Sequence, residues 1–406
     1  MRAMQIQGHH LSYCSNIHPG ETWEDTFQSL KDYIPKVKSN LGIKGPFGIG
    51  LRLSNQASET LISAEKLREF KDWLRVEDCY VFTMNGFPYG DFHHTVVKDH
   101  VHQPDWSTVA RKEYTLRLFR ILEALTPIGQ EGSISTSPIS YRHWFDANLE
   151  RDKVLQIACD QLAEITAELH HLEQKTQKTL HLDVEPEPDG ILENTEEVLW
   201  FFRDWLIPKG GAWLVEKLGI SSAAAEQLLK HHIRICYDVC HFAIVYEKAE
   251  DTFRKLQEEG IKIGKIQISA ALKVDVPSDL NERQNLQLKL NPLAESTYLH
   301  QVIGRDASGK LQSYPDLPEA IAILEETALE EMRIHFHVPV FLAHYGNLSS
   351  TQSDIIHVLE EIKKNPVCSH LEVETYTWDV LDKALRQELS SSITREMEWV
   401  INTFEK

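Results

Sequence analysis

Short apolar runs alternate with longer amphipathic segments along nearly the whole chain. The runs are rich in β-branched and aromatic residues, whereas the segments between them repeat apolar residues with the period of an α-helix. Predicted strands lie at residues 5–16 and in the runs GPFGIGLRLS, CYVFTMNGF, GSISTSP, LHLDVEPEP, IRICYDVCH, IGKIQIS, RIHFHVPV and HLEVETYTW. Predicted helices lie at residues 23–41, 63–76, 106–125, 146–175, 193–218 with an interruption at Pro208, 244–259, 318–332 and 353–364, and a last helix ends at Phe404. Strands separated by helices predict a parallel sheet.

The number of strands indicates a closed barrel. Nine parallel-strand candidates are present, and eight close a (β/α)8 TIM barrel, so one candidate must lie outside it. The pattern changes after Ala270, where TYLHQVIGR and GKLQSYPD flank a short turn and predict a β-hairpin inserted near residues 271–315. We therefore predict a single domain over residues 1–406, a TIM barrel with a C-terminal helix.

An open, doubly wound sheet is the structural alternative. Such a sheet usually carries a glycine-rich phosphate loop after its first strand. The corresponding turn in this chain, NIHPGE, has no such loop, so the barrel is favoured.

The composition of the chain limits the kinds of partner that it is expected to bind. The chain has 406 residues and a formal net charge of −19, which argues against nucleic acid as a partner. The six cysteines include no CxxC pair, and this favours a reducing compartment and a cytoplasmic location. No secretory signal and no run long enough for an integral membrane segment is expected.

Four strand-like runs in the second half of the chain carry potential metal ligands near their ends. The C-terminal ends of parallel strands meet on one face of a barrel, and carboxylates and imidazoles gathered there suit a divalent cation. The residues concerned are Glu185 and Glu187, Asp238 and His241, His335 and His337, and Glu372 and Glu374.

The predicted ligands of this metal are Glu185, Asp238, His337 and Glu374, with Gln267 as a neutral oxygen donor. Taken singly, each has an ordinary alternative, such as a solvated acidic turn, a helix cap or a histidine packed in the core. Together, an oxygen-rich set with an imidazole suits Mn²⁺, Mg²⁺, Co²⁺ or Zn²⁺.

A second group of residues is predicted to bind the substrate. It consists of His241, Glu187, His18, Asn85 and His335. The loop that starts at Asn85 combines an amide with two aromatic residues, and a purely structural turn is an equally good interpretation.

Several motifs together resemble the EboE family of metabolite traffic proteins, within the xylose-isomerase-like TIM-barrel superfamily. They are LSYCSNIHPGETW, GPFGIGLRLS, YVFTMNGFPYGDFH, GSISTSP, LDVEPEPDG, YDVCHFAI, HFHVPVF and LEVETYTWDVL. The resemblance implies a divalent metal held by strand-end side chains, with Glu185, Asp238, His241 and Glu374 at the matching positions. The sequence departs at the seventh strand, where Gln267 stands in place of a histidine. Either His337 replaces that histidine, or the site is altered.

These residues are compatible with functions of different classes. The first is a metal-dependent enzyme, isomerase- or epimerase-like or hydrolase-like, that acts on a small-molecule metabolite, with Glu185 and Glu374 as ligand and proton-transfer base. The alternative is a non-catalytic metabolite-binding or carrier protein that retains the barrel pocket. The resemblance implies a role in secondary-metabolite traffic, with possible partners in an export pathway. An endonuclease of the same superfamily is disfavoured by the negative charge.

Overall fold

The computed structural model describes residues 5–90, 98–294, 299–345, 348–375 and 388–406. Its strands are β1 (Gln5–Ile6), β2 (His9–Tyr13), β3 (Phe47–Arg52), β4 (Cys79–Asn85), β5 (Gly132–Thr136), β6 (Leu180–Val184), β7 (Ile233–Asp238), β8 (Ile263–Ile268), β9 (Ala270–Asp275), β10 (Val302–Asp306), β11 (Leu311–Tyr314), β12 (Leu329–Val338), β13 (His344–Tyr345), β14 (Leu348–Ser350) and β15 (His370–Val373). Its α-helices are α1 (Trp23–Asn40), α2 (Asn55–Leu61), α3 (Ala64–Val76), α4 (Val109–Leu125), α5 (Asn148–Thr176), α6 (Thr195–Trp200), α7 (Gly211–Leu218), α8 (Ser222–His232), α9 (Val239–Ile244), α10 (Ala249–Glu258), α11 (Leu280–Leu290), α12 (Leu317–Ala322), α13 (Gln352–Lys364) and α14 (Leu389–Glu405). Within these ranges, no helix combines the length and the apolar character needed to cross a membrane.

Eight parallel strands form a nearly closed barrel, as the sequence predicts. Hydrogen bonds join them in the order β2, β15, β8, β7, β6, β5, β4 and β3, and a parallel bridge between Cys14 and Gly50 brings β2 beside β3. The short strand β1 adds an antiparallel pair to β2 through a turn at Gln7 and Gly8, both of which have positive φ. Helices lie between the barrel strands, so the (β/α)8 prediction is confirmed.

A second sheet is inserted between the seventh and eighth barrel strands. It has six antiparallel strands in the order β11, β10, β12, β9, β14 and β13. The predicted hairpin is present as β10 and β11, but it is one part of this larger insertion. Because the insertion follows β8, it lies at the C-terminal end of the barrel, where active sites of this architecture are found.

The run RIHFHVPV is the ninth candidate, and its prediction as a parallel strand is wrong. It belongs to β12, which pairs antiparallel with β9 and β10. The predicted helix at residues 318–332 is also shorter, since α12 ends at Ala322 and β12 begins at Leu329. A parallel strand needs a crossover connection long enough to return along the barrel, and this short helix cannot provide it.

Two further helices differ from their predictions. The helix predicted at residues 193–218 with a break at Pro208 is continuous, because the segment Phe201–Gly210 is π-helical and joins α6 to α7. Proline lacks an N–H group and displaces the carbonyl of the preceding turn, and a wider π turn accommodates it. The helix predicted at residues 244–259 is shorter, because α10 covers only Ala249–Glu258. Ile244 ends the separate helix α9, whose first residues were predicted as the end of a strand, and Tyr246 between the two helices adopts a φ of 60°.

The short helix α9 fixes the second sheet to the barrel. Its residues Cys240 and Ile244 pack with Ala271 of β9 and Ile303 of β10 in a small buried cluster. The guanidinium of Arg333 in β12 also donates to the carbonyl of Ala243 over 2.6 Å. Since α9 directly follows the barrel strand β7, it holds β12 over the C-terminal ends of the barrel strands.

The barrel interior contains ionisable side chains beneath this end. Lys265 Nζ and Glu372 Oε2 lie 2.6 Å apart, and both side chains are fully buried. His181 and Asp183 form a second buried pair at 2.6 Å. A side chain at Gly50 would place its Cβ 1.9 Å from Glu372 Oε1, so glycine is required there. Because inward positions recur every second residue, Glu372 lies directly below Glu374.

Candidate metal centre

Three carboxylates converge at the C-terminal end of the barrel. Oxygen atoms of Glu185, Asp238 and Glu374 all lie within 4.8 Å of one another. The three residues follow or end β6, β7 and β15, and all are buried. Carboxylates this close and this dry cannot all be ionised without a compensating positive charge.

Three amide groups hold Glu374 in place. Its Oε1 atom accepts hydrogen bonds from Asn16 Nδ2 at 2.7 Å and Asn85 Nδ2 at 3.1 Å, and its Oε2 atom accepts one from Gln267 Nε2 at 2.8 Å. The oxygen of Gln267 accepts from Cys236 Sγ at 2.8 Å. With the amide in this orientation, Gln267 positions Glu374, and its role as a ligand stays a prediction.

The other two carboxylates keep one oxygen each without a hydrogen bond. Asp238 Oδ1 accepts from Ser269 Oγ at 2.6 Å and from the backbone N–H of His241 at 3.1 Å. Among the described residues, no hydrogen bond reaches the buried atoms Asp238 Oδ2 and Glu185 Oε2. Buried acceptors normally have a partner, and an oxygen-preferring divalent cation would be one. The residues therefore fit a divalent cation.

His337 adds an imidazole to this set from the second sheet. A nitrogen of His337 lies within 4.8 Å of ligand atoms of Asp238 and His241. Its Nδ1 atom lies 3.1 Å from the carbonyl oxygen of Glu374, and since a carbonyl can only accept, Nδ1 carries the proton. Such a bond to a backbone carbonyl is how metal-binding histidines are commonly oriented.

A neighbouring group joins Glu187, His241 and His335, whose ligand atoms also lie within 4.8 Å of one another. His241 Nδ1 donates to the carbonyl of Pro186 at 2.9 Å, and its Nε2 atom lies 3.2 Å from His335 Nε2. His335 Nδ1 lies 2.9 Å from Gln301 Oε1. With both Nδ1 atoms protonated, two Nε2 lone pairs face each other, and this arrangement requires a shared proton or cation.

Burial and mutual repulsion shift the pKa of these groups. Burial, followed by the nearby carboxylates, raises the pKa of Glu185, Glu187 and Glu374 well above the usual value. Burial also acts to raise the pKa of Asp238, but His241 and His337 outweigh it and the pKa is lowered. Burial lowers the pKa of His337 to about 4. Without a cation the glutamates therefore hold protons, which a cation would displace.

A small cavity opens above the carboxylates. The volume that the centres of water molecules can occupy is about 60 Å³. One water molecule needs roughly 15 Å³ of this volume. The lining includes Asn85, Phe87 and Pro88 on one wall, with Leu299 and Gln301 of the insertion on another. The cavity suits a cation with a small polar molecule.

The structure brings most of the predicted residues to this cavity. Glu185, Glu187, His241, His335, His337, Glu374 and Asn85 line it, while Asp238 and Gln267 lie directly behind as contacts of these residues. Their roles toward a substrate stay predictions.

His18 lies elsewhere. Its ring stacks on Tyr33 with centroids 4.3 Å apart and hydrogen-bonds the Tyr13 hydroxyl at 2.9 Å. It faces a separate small cavity beside Arg52, because the helical turn after β2, Ser15–Ile17, carries the chain away from the barrel axis. The structure does not place His18 with the other predicted substrate residues.

Other residues of the site carried weak sequence signals or none. Asn16 and Ser269 are the last residues of the predicted first and seventh strands, so their position at a strand end was a usable signal. Gln301 and His102 also line the cavity, but Gln301 lies in a predicted hairpin strand and His102 in a short helical turn, and neither position indicated a functional site. Such residues are found only when the chain is folded.

No family model matches the chain, and no curated protein matches its sequence. Similar solved structures include the probable 3-DHS dehydratase AsbF of petrobactin synthesis from Bacillus anthracis, with 12% identity, a TM-score of 0.41, and coverage of 96% of this chain and 97% of that one. A xylose isomerase-like TIM barrel protein from Mycobacterium smegmatis, in complex with magnesium, has 10% identity, a TM-score of 0.45, and coverage of 91% and 86%. The IOLI protein with a binding zinc atom has 9% identity, a TM-score of 0.47, and coverage of 97% and 98%. Each is a protein that this chain is similar to, at levels that say nothing about its reaction.

Proposed function

We propose that the chain is a divalent-metal-dependent enzyme that moves a proton on a small hydroxy-carbonyl or polyol metabolite, as an isomerase or epimerase does. One observation carries the proposal. Three buried carboxylates from separate strand ends meet within 4.8 Å at the base of a small polar cavity. This arrangement costs stability unless a cation or protons occupy it, and such costs are typical of functional sites.

Residue roles follow from the hydrogen bonds. Glu374, held by Asn16, Asn85 and Gln267, is fixed as a ligand together with Asp238 and His337. The bound metal would polarise oxygen atoms of the substrate.

Glu185 is the proposed proton-transfer base. Glu185 lines the cavity, and its buried Oε2 atom has no hydrogen bond among the described residues. Once a cation has displaced its proton, this carboxylate can accept a proton from the substrate as a general base. It would remove a proton from the carbon beside a carbonyl and return one to the substrate.

Glu187, His241, His335 and Asn85 are the proposed substrate contacts. They surround the same cavity and offer both donors and acceptors, which suits a molecule rich in hydroxyl groups. The metal is one of Mn²⁺, Mg²⁺, Co²⁺ or Zn²⁺, as the oxygen-rich ligand set favours.

The setting of the reaction is a proposal that rests on the sequence motifs. They support membership of the EboE family, a role in secondary-metabolite traffic and partners in an export pathway. The six cysteines without a CxxC pair support a cytoplasmic location. The acidic charge of −19 supports the exclusion of nucleic acid as a partner.

Deuterium exchange tests the reaction without a known substrate. The full chain is loaded with Mn²⁺ and incubated in D₂O with a mixture of hydroxy-carbonyl compounds, which are then examined by mass spectrometry. We expect one mass unit of deuterium at the carbon beside the carbonyl of a turned-over compound. Chelation or Glu374→Gln should abolish this incorporation, and Glu398→Gln, on the exposed side of α14, should retain it. Full incorporation by a chelated preparation would contradict the proposal.

The non-catalytic carrier is the second candidate, and Gln267 in place of a histidine favours it. The same experiment separates the functions. A carrier retains a compound stoichiometrically and incorporates no deuterium. A hydrolase yields products of lower mass.

A further inference from the structure

A second group of ligand-type side chains lies at the opposite end of the barrel. His170 and Glu173 are three residues apart on α5, which places them on one face of that helix. His231 and His232 end α8. Since α5 and α8 lead into β6 and β7, the group surrounds the start of β6, far from the candidate metal centre at the strand ends.

The spacing of these atoms suits a small cation. One ligand atom each of His170, Glu173 and His232 lies within 4.8 Å of the others. His232 Nε2 and Glu173 Oε2 are 3.6 Å apart. Ligands about 2.05 Å from a tetrahedral zinc ion lie about 3.4 Å from each other, so this pair needs little movement.

His232 is oriented as a metal-binding histidine is. Its side chain is fully buried, and its Nδ1 atom lies 2.9 Å from the carbonyl of Leu180, so Nδ1 carries the proton. The lone pair of Nε2 then faces the carboxylate of Glu173, and among the described residues no hydrogen bond reaches it. The Glu173 side chain is 27% exposed, so a cation can reach the buried lone pair of His232 from this side and would satisfy both acceptors.

Glu173 is oriented from its other side. Thr179 Oγ1 donates to Oε1 at 2.6 Å, and His231 Nε2 lies 3.2 Å from Oε1 and 3.1 Å from Oε2. His170 Nε2 accepts from Gln174 Nε2 at 2.9 Å, a bond on the half-exposed helix surface that a cation can displace. The neighbouring cation Arg234 pairs with Glu131.

We propose that His170, Glu173 and His232 form a second divalent-cation site of the Zn²⁺-binding class. Two imidazoles and one carboxylate match the ligands of zinc sites with one open position, which His231 or water completes. The site would join the ends of α5 and α8 to the start of β6, and it is independent of the proposed reaction.

Zinc titration of the full chain tests the site. The double variant Glu185→Gln/Glu374→Gln removes the candidate metal centre, and Zn²⁺ is then titrated in competition with a chromophoric chelator. We expect at least one equivalent to bind and His170→Ala to weaken the binding of one equivalent about tenfold or more. His171→Ala is the matched control, since His171 is exposed on the same helix, and it should bind as the parent does. His232 is left unchanged because it also holds Leu180.

The results of this zinc titration can be distinguished from a failure of the proposed enzyme function. Absence of zinc binding in the double variant, or equal binding by His170→Ala and its parent, would overturn the second site and leave the candidate metal centre untouched. If the double variant does not fold, the wild-type chain is used, in which His170→Ala and Glu374→Gln should each remove a different one of two bound zinc ions. Removal of the same ion by both would also overturn it.

Discussion

Glu372 and Glu374 stand two positions apart on one strand face but meet different partners. Glu374 receives three amide groups and opens on the cavity. Glu372 forms a fully buried ion pair with Lys265. Burial opposes the charge of Lys265, but Glu372 outweighs it and raises the pKa of the ammonium group. The ammonium group of Lys265 is therefore charged at neutral pH.

Removing one partner of this pair should cost more than removing both. We expect Glu372→Gln to lower the free energy of unfolding by about 3–5 kcal/mol, because it leaves Lys265 charged and buried. The double variant Lys265→Met/Glu372→Leu should recover much of that loss. Urea denaturation of the three proteins measures the difference. A double variant no more stable than Glu372→Gln would show that the two side chains do not act as a pair.

The sequence predicted the metal ligands better than it predicted which side chains pair with one another inside the barrel. Glu185, Asp238 and Glu374 were marked by apolar runs that end in an acid, and parallel strands bring such ends together. Nothing in the sequence around Lys265 indicates that it pairs with Glu372, which lies 107 residues away along the chain. Pairings of this kind depend on the register of neighbouring strands, which a single sequence does not contain.

At the scale of elements, β12 shows what a pattern of period two can and cannot predict. His335 and His337 share a face in any strand, and both do reach the cavity. The same alternation fits a barrel strand and an antiparallel strand, so it did not reveal the second sheet. The register of β12 against β9 shifts between Ile334 and His337, and such a bulge re-aims side chains near functional sites.

The second sheet should therefore contribute to metal affinity. His337→Ala is expected to weaken binding of Mn²⁺ about 10- to 100-fold, because the imidazole beside Asp238 is lost. His344→Ala, an exposed position of β13 in the same sheet, is the control and should bind normally. Isothermal titration of the chelated proteins makes the comparison. Equal affinities for the two variants would exclude His337 from the ligand set.

At the scale of the molecule, the insertion after β8 closes one end of the barrel and buries acids under it. Alternating strands and helices predicted the barrel because each pattern is local. The six-stranded insertion was not predicted, because its strands pair with partners that are far away along the chain. A short helix also lies between them, and it resembles the helices between barrel strands.

Burial of the acids links stability to pH and to metal. Glu185, Glu187 and Glu374 have raised pKa values, so the folded, metal-free chain keeps protons that the unfolded chain releases above about pH 4.3. Its stability should therefore fall as the pH rises through the folded-state values. The pKa of Asp238 is lowered, so this group makes the stability rise with pH. It is one group, whereas three glutamates act in the other direction.

A cation replaces these protons, so its stabilising effect should grow with pH. We expect the rise in Tm on adding Mn²⁺ to a chelated sample to be larger at about pH 8 than at about pH 5.5. At a Mn²⁺ concentration of about 100 Kd the stabilisation is about 2.7 kcal/mol. Thermal scans with and without metal measure it, and Glu185→Gln/Glu374→Gln should lose both the rise and its pH dependence. A rise that is the same at both pH values would argue against proton displacement.

Metal content tests the central claim most directly. The wild-type chain and Glu374→Gln are purified without a metal-affinity column, and the divalent cations in each are counted by elemental analysis. We predict about one equivalent more in the wild-type chain, because Glu374→Gln removes one of the three carboxylates that would hold the cation. Equal metal content in two folded proteins would contradict the assignment of the three carboxylates as a metal centre.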